Sequence, residues 1–170
     1  MLKLTLALAM ALACAGPAFV TPALAQAPGR PRPAASDPVT ERNLSRDNLK
    51  AAYDAAELPV SIDGDGDIMI RDRITLFAFP NKERIRLVVY YAFKPEVSLQ
   101  QKLELANRIN QGYIVARASV GGKDENQLQV DYYLLLGAGM SKATIVAATK
   151  RFMGIVPDAV KENDREDIVK

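Results

Sequence analysis

The acidic segment Asp63–Asp67 (DGDGD) has the residue types that come closest to a metal site in this chain. An EF-hand calcium loop requires Asp at positions 1, 3 and 5, Gly at position 6 and a bidentate Glu at position 12. Counted from Asp63, positions 6 and 12 are Ile68 and Ile74, so both requirements fail. Asp and Gly are also the ordinary residues of tight turns. We therefore predict a hairpin turn here, with no bound metal ion and no other cofactor.

The composition lacks most of the residues that nucleophilic catalysis and zinc binding normally use. The chain contains no His and a single Cys, Cys14. A serine nucleophile normally needs a general base, and zinc sites normally use Cys and His. Gly137-x-Gly139 precedes a predicted helix as a phosphate loop would, but it lacks the remaining glycines and the Lys-Ser/Thr pair. A Ser–Lys dyad or a carboxylate pair stays open on composition, but no motif marks one, and we predict a protein without enzymatic activity.

The N-terminus has the pattern of a secretory signal peptide. Lys3 is the only charged residue before Arg30, and Leu4–Ala13 is an unbroken apolar run of suitable length. Ala23–Ala25 fits the small-x-small cleavage rule, so residues 1–25 are predicted to be removed by cleavage before Gln26. A transmembrane anchor is the alternative, but a glycine and two prolines interrupt the stretch, and a span needs about 20 unbroken apolar residues. The predicted location is the periplasm or the extracellular medium.

Cys14 raises a second possibility for the N-terminus. Ala11–Cys14 loosely resembles a lipobox, in which the Cys becomes an acylated N-terminus, although the usual large residue at the first position is Ala here. Cleavage before Gln26 instead removes Cys14 and leaves no stable membrane anchor. The cleaved chain then has no cysteine for a disulfide, so its stability must come from a packed core.

The remaining chain divides into a linker, one domain and a tail. Residues 26–39 are proline-rich and offer almost nothing to bury, which predicts a flexible linker. Residues 40–157 carry the periodic apolar pattern of a folded domain. Residues 158–170 are highly charged and are predicted to be a C-terminal tail that is either a short helix or frayed.

Within the domain, apolar residues at helical spacing predict helices over residues 43–57, from 99 to 112, and from 142 to a stop at Pro157. Ser98 and Gln101 form a capping box at the start of the second helix, whose buried stripe is predicted to be Leu99, Leu103, Ala106 and Ile109. Alternating or continuous apolar runs predict six strands: Val60–Ile62, Ile68–Arg71, Ile74–Phe79, Arg84–Phe93, Tyr113–Val120 and Gln127–Leu136. Strand hairpins with segregated helices define an α+β fold, an antiparallel sheet with the helices packed on one face.

Two of the long strands each carry a pair of adjacent tyrosines. Neighbouring side chains on a strand point to opposite faces, so one tyrosine of each pair must leave the helix-packed face. Polar neighbours of the same parity mark Tyr90 and Tyr133 as the outward members. A face that mixes tyrosines with aliphatic residues is more apolar than solvent requires, which predicts a partner surface. The predicted surface consists of Arg86, Val88, Tyr90, Asp131, Tyr133 and Leu135; the alternative is that a tail or helix of the chain covers this face.

The order of these segments resembles the bacterial YbjN family of proposed sensory transduction regulators. The resemblance is carried by the hairpin over Asp63–Ile70, the LFAF and LVVYYAF strands, and Leu103–Asn110 (LELANRIN), whose Asn-x-x-Asn precedes a strand beginning at Tyr113. The hairpin across Gly121–Asn126, the strand containing Asp131 and the closing helix complete it, over about residues 40–156. The resemblance implies a fold like that of type III secretion chaperones and a function in partner binding. Those chaperones are cytosolic, so the predicted signal peptide is a departure.

Together these patterns predict an exported, non-catalytic protein that binds another protein or itself, as a chaperone or regulatory adaptor. The net charge of +2 argues against a nucleic-acid partner, which normally requires a strongly basic face. The alternative is a domain that binds a small ligand or an envelope component in the groove between sheet and helices. An enzyme built on carboxylates or lysine is a third hypothesis.

Overall fold

A computed structural model describes residues 38–170 of the chain. The predicted signal peptide, Cys14 and residues 26–37 of the predicted linker lie outside the described residues. Three helices and six strands follow one another in the predicted order. Their bounds are α1 Arg46–Asp54, β1 Val60–Ile62, β2 Ile68–Arg71, β3 Thr75–Asn81, β4 Arg84–Ala92, α2 Leu99–Gly112, β5 Arg117–Gly121, β6 Gln127–Leu135 and α3 Lys142–Asn163.

The six strands form one antiparallel sheet in the order β1-β2-β3-β4-β6-β5. Tight turns join β1 to β2, β2 to β3 and β3 to β4, while α2 occupies the connection from β4 to β5. Strand β6 then lies between β4 and β5 and pairs with both of them, which leaves β5 at the edge of the sheet. The predicted α+β class with an antiparallel sheet is confirmed.

The helices cover one face of this sheet, which we call the first face. Alternate residues of β2, β3, β4 and β6 form a continuous buried core with residues of all three helices. Phe152 of α3 packs on Tyr132 of β6, with ring centroids 5.9 Å apart. The Tyr53 hydroxyl of α1 lies 3.1 Å from Thr149 Oγ1 of α3, and burial raises the pKa of Tyr53 to about 12. The opposite side of the sheet, the second face, contributes no residue to the core that the described chain forms.

A serine side chain caps the start of each helix. Ser45 accepts a hydrogen bond from the Asn48 amide, and Ser141 accepts one from Thr144. The predicted capping box of α2 is confirmed, since Ser98 and Gln101 satisfy each other's backbone donors. Each cap pairs an amide that the first helical turn cannot satisfy by itself.

The predicted buried stripe of α2 is wrong at two of its four positions. Leu99 and Leu103 are 44% and 47% exposed, whereas Leu105 is fully buried beside Ala106 and Ile109. The helix is rotated so that Lys102 takes the fourth position of the stripe, with its ammonium 5.3 Å from the Phe93 ring centroid. A lysine can occupy such a position because its aliphatic stem packs while its charged end stays in contact with solvent.

The predicted end of the last helix at Pro157 is also wrong. Helix α3 contains Pro157 and continues to Asn163. A proline inside a helix costs about 3 kcal/mol, because it removes a hydrogen bond and crowds the preceding turn. Val156 and Ala159, on either side of it, are completely buried. Their packing holds the helix together across the proline.

Both ends of the described chain belong to the domain. Val39, assigned to the linker, is 2% exposed and exchanges two backbone hydrogen bonds with Met140. At the other end, the charged segment turns back after α3, and Ile168 and Val169 are buried. The Lys94 amide donates to the carbonyl of Ile168 at 2.9 Å, so the last residues extend the end of β4. The domain therefore begins before Thr40 and continues past Pro157.

Asn110, within the helix motif that carries the family resemblance, pins the outer edge of β5. Its side-chain oxygen accepts from the Ala118 amide at 2.7 Å, and its side-chain nitrogen donates to the Ala118 carbonyl at 3.0 Å. We expect Asn110→Ala to lower the free energy of unfolding by about 2 kcal/mol, because it leaves two backbone groups of the edge strand unpaired. Asn107→Ala makes the same change at an exposed position of the same helix and is expected to cost less than about 0.5 kcal/mol. Equal urea midpoints for the two variants would refute this role.

Candidate partner-binding surface

All six residues predicted to form a partner surface lie on the second face of the sheet. Arg86 pairs with Tyr133 across β4 and β6, and the next second-face pair is Val88 with Asp131. Tyr90 and Leu135 extend the same parity in opposite directions along these strands. The adjacent tyrosine of each pair, Tyr91 or Tyr132, packs against the core instead. The sequence parity therefore places the six residues correctly, and their role as a surface stays a prediction.

Asp131 is the centre of the charged part of this surface. Its side chain is fully buried, although no helix of the described domain packs there. Arg117 donates to both of its oxygens at 2.9 Å, and Arg86 Nε donates to Oδ2 at 3.1 Å. The Arg86 Nη2 atom also lies 2.9 Å from Oδ2 as an ion pair. These long side chains cover the carboxylate and satisfy it with charge-assisted hydrogen bonds. The bond to Asp131 raises the pKa of the Arg117 guanidinium, which keeps it fully charged.

Tyr133 lies beside two arginines at the edge of this cluster. The guanidinium carbons of Arg84 and Arg117 are 4.9 and 5.4 Å from its ring centroid, within the range of cation–π contacts. The Arg117 Nη2 atom also lies 3.3 Å from the Tyr133 hydroxyl. The ring is therefore held between guanidinium groups, with part of it exposed to solvent.

The other half of the second face is aromatic. Phe77 of β3 contacts two further rings, those of Phe79 and Tyr90, with centroid separations of 6.4 and 5.7 Å. All three rings are partly exposed. Met69 of β2 lies beside Phe77 in the register and is buried. The second face thus has an apolar half on β2, β3 and β4 and a charged half on β4, β6 and β5.

The structure corrects the predicted surface at two positions. Val88 and Asp131 are fully buried, so they support the surface from below and do not expose atoms to a partner. The other four predicted residues keep exposed or partly exposed side chains. The sequence reasoning missed four further residues of this face that also reach solvent, namely Phe77, Phe79, Arg84 and Arg117. Phe77 and Phe79 alternate with Leu76 and Ala78 along the predicted strand Ile74–Phe79, and this parity could have placed the two phenylalanines on one face. The β5–β6 hairpin register, once fixed, places Arg117 opposite Asp131.

The acidic segment Asp63–Asp67 is a turn between β1 and β2, as predicted. The Asp63 Oδ1 atom accepts from the amides of Asp65 and Asp67 at 3.0 and 2.8 Å. Gly66 has a φ of +86°, a conformation in which glycine is favoured. Within the part of the chain that the structure describes, no three His, Cys, Asp or Glu side chains converge to hold a metal ion.

We expect calorimetry to detect no calcium binding to this turn in the micromolar range. One Asp63 oxygen is already engaged by the turn's backbone, and the residues at positions 6 and 12 supply no ligand. Asp65→Ala is the control variant, because it removes a carboxylate without removing the Asp63 hydrogen bonds. Micromolar affinity in the parent protein that Asp65→Ala abolishes would refute the prediction.

Gly137 and Gly139 make a strand-to-helix turn, as the sequence favours. Both have positive φ, and the Gly139 amide donates to the Leu136 carbonyl at 2.7 Å. A side chain at Gly139 would come within 3.1 Å of Thr40 Cγ2. Glycine is therefore needed at Gly139 for backbone conformation and close packing, which accounts for it without a phosphate.

A groove runs between α3 and the first face, where the alternative small-ligand hypothesis places its site. Its volume is about 280 Å³. Its lining is mainly apolar, including Val115, Ala148 and Ile155, with Arg151 as a charged member. Among residues 38–170, no helix is both long enough and apolar enough to cross a membrane.

These features define an α+β domain with one antiparallel sheet, helices on the first face and an aromatic, arginine-bearing second face. Residues 45–161 match the family model of YbjN, described as "Putative bacterial sensory transduction regulator". The chain belongs to the YbjN family.

Comparison with solved structures supports the fold. The crystal structure of YbjN from E. coli, described as "a putative transcription regulator", superposes with a TM-score of 0.64 at 13% identity. The match covers 75% of this chain and 96% of that protein. An uncharacterized protein from Methanothermobacter thermautotrophicus matches 72% of this chain and 99% of its own, with 12% identity and a TM-score of 0.49. A search among curated proteins gave no match.

Proposed function

We propose that this YbjN-family protein is exported to the periplasm and acts there, without catalysis, by binding another protein through its second face. Its role is that of a chaperone or regulatory adaptor. The family's description as a regulator supports a binding function. The signal-peptide pattern of residues 1–25 supports export.

The observation that carries the proposal is the composition of the second face. Phe77, Phe79 and Tyr90 form a cluster of partly exposed rings on the second face, which no described helix covers. Aromatic residues and arginine are enriched at the centres of protein interfaces, since they bury large areas with few rotatable bonds. The rigid sheet holds these rings in place before a partner arrives, which lowers the entropy cost of binding.

A crosslinking experiment on the native cell envelope tests this proposal. The full chain is expected to form a specific crosslinked species that the double variant Tyr90→Ala, Tyr133→Ala forms at least 10-fold less. Ile114→Ala is the matched control, because Ile114 is fully exposed and lies outside the second face. Melting temperatures establish that the variants are folded. A species that persists unchanged in the double variant refutes the proposal.

Export predicts a specific mass for the protein recovered from the periplasm. We expect intact-mass measurement to give a chain that starts at Gln26, because the small-x-small site of Ala23–Ala25 follows the apolar run. A diacylated chain starting at Cys14 would show a lipoprotein instead. A chain that retains Met1 would refute export with processing.

The groove beside α3 supports a second candidate function, the binding of a small amphipathic ligand. Its apolar lining with one arginine matches the pattern of a small-molecule site, in which few polar groups orient the ligand. A ligand specific to the folded state raises the melting temperature, so thermal shifts with periplasmic metabolites and short-chain lipids test this function. Ala148→Trp should fill the groove and abolish any such shift. A shift that survives this substitution refutes the groove as its site.

A further inference from the structure

One cross-strand row on the second face runs from apolar to charged residues. The register places Met69 beside Phe77, Phe77 beside Val88, and Val88 beside Asp131, with Arg117 completing the row on β5. Tyr90, two residues after Val88 on β4, lies near the apolar end of this row. This row is therefore amphipathic along its length, from the β2 side of the sheet to its β5 edge. Arg71, at the end of β2, lies on the same face but outside this row.

The charge on this face is unbalanced. Across the six strands of the described domain, second-face positions carry four arginines and one carboxylate: Arg71, Arg84, Arg86, Arg117 and Asp131. That carboxylate is buried and already engaged by two of the arginines. The chain as a whole has a net charge of only +2, so positive charge is concentrated here.

The geometry leaves donors free for a further anion. Arg117 uses Nε and Nη2 on Asp131, while its side chain is 62% exposed. Two guanidiniums share one carboxylate, so the cluster retains excess positive charge at fixed positions. Arg84 adds a third guanidinium beside Tyr133. Such a preorganised cluster favours a planar carboxylate, which arginine recognises through paired hydrogen bonds.

We propose that the second face binds an acidic protein segment that presents carboxylates to Arg84 and Arg117 and apolar side chains to Phe77 and Tyr90. This inference rests on the proposed function and specifies its partner class. A second copy that presents its own second face fits less well, since Asp131, the one carboxylate on the second-face strand positions of the described domain, is already paired with two arginines. A nucleic acid also fits less well, because its evenly spaced phosphates require cations along the whole face, and the β3 part of this face is aromatic.

Selection from a random 12-residue peptide library with the immobilised full chain tests the partner class. The recovered peptides are expected to be enriched at least 3-fold in Asp and Glu over the input, with apolar residues on one side of the acids. Arg84→Glu should abolish this enrichment, and Arg84 was chosen because it does not contact Asp131. Lys150→Glu on α3, behind the first face, changes the net charge equally and should leave the enrichment intact.

Affinity measurements on the most frequent peptide separate the partner classes. Its Kd should rise at least 10-fold with Arg84→Glu and at least 5-fold from 0.05 to about 0.5 M salt, because salt screens exposed charges. Competition by a 20-residue oligothymidylate or by phosphatidylglycerol vesicles at similar affinity would overturn the inference in favour of another anionic ligand. Equal effects of Arg84→Glu and Lys150→Glu would overturn it as nonspecific charge attraction.

The two proposals fail in distinguishable ways. The selected peptides could lack acidic enrichment and still bind more weakly to the double variant Tyr90→Ala, Tyr133→Ala. That result would support protein binding by the second face and overturn the acidic partner. If the tyrosine substitutions change neither the affinity for the selected peptides nor the crosslinking in the envelope, both proposals are overturned.

Discussion

Replacing Tyr132 or Tyr91 with alanine is expected to lower the free energy of unfolding by about 3 kcal/mol, which corresponds to a fall in melting temperature of roughly 10 °C. Both rings pack against the core of the first face, and Tyr132 contacts Phe152. The expected loss is at the low end of the range for core aromatics because both side chains are partly exposed.

The adjacent tyrosines provide matched controls on the same strands. Tyr90→Ala and Tyr133→Ala remove the same group from the second face, outside the core, and are expected to cost about 1 kcal/mol through lost ring and guanidinium contacts. Urea unfolding of the four variants measures the difference. Equal losses at all four positions would mean that the second face is buried within the protein, and the partner surface would then be wrong.

Tyr91 allows a finer test of the same packing. Its hydroxyl is buried without a hydrogen-bond partner in the described domain, and burial raises the pKa of Tyr91. A buried unpaired polar group costs about 1–3 kcal/mol. Tyr91→Phe keeps the ring and removes that group, so it is expected to leave stability unchanged or to increase it, in contrast to Tyr91→Ala. A loss as large as that of the alanine variant would show that the hydroxyl has a partner.

Asp131→Ala is expected to cost about 3 kcal/mol of stability, and Asp131→Asn about 2 kcal/mol. Either change leaves Arg86 and Arg117 side by side without the carboxylate that accepts from both. Removing one member of a buried ion pair typically costs about 3–5 kcal/mol. We expect less here because Arg86 and Arg117 are 29% and 62% exposed, so water solvates them when Asp131 is lost.

Asp54→Asn is the control for Asp131→Asn. Asp54 pairs with Lys50 one helical turn away, and the two side chains are 50% and 33% exposed. Such surface pairs contribute about 0.5 kcal/mol or less. Chemical denaturation of the two asparagine variants should therefore differ by more than 1 kcal/mol, by these same estimates. Equal effects would show that burial of Asp131 adds nothing to its pairing.

The stability and binding predictions connect at Asp131. Its carboxylate holds Arg86 and Arg117 at fixed positions, and the proposed partner uses donors of Arg117 that remain free. Arg84 does not depend on this carboxylate, so its substitution tests binding without disturbing the buried pair. Asp131 variants therefore test how the surface is held in place, and Arg84 variants test its contacts with a partner.

The sequence by itself determined the features that depend on neighbours along the chain. The strand boundaries of Val60–Ile62 and Ile68–Arg71 match the structure, because alternation and turn residues are local signals. The capping box of α2 follows from the same kind of short-range signal. Parity along a strand is also local, so the faces of Tyr90 and Tyr133 could be assigned before their partners were known.

Only the tertiary structure decided what depends on distant contacts. The rotation of α2 toward Leu105, the passage of α3 through Pro157 and the docking of Val169 all follow from packing that outweighs local preference. The charged cluster has the same origin. Arg86, Arg117 and Asp131 are on three strands, and only the pairing of β6 between β4 and β5 brings them together. Their long side chains then exclude water from Asp131, which no spacing within a single strand can specify.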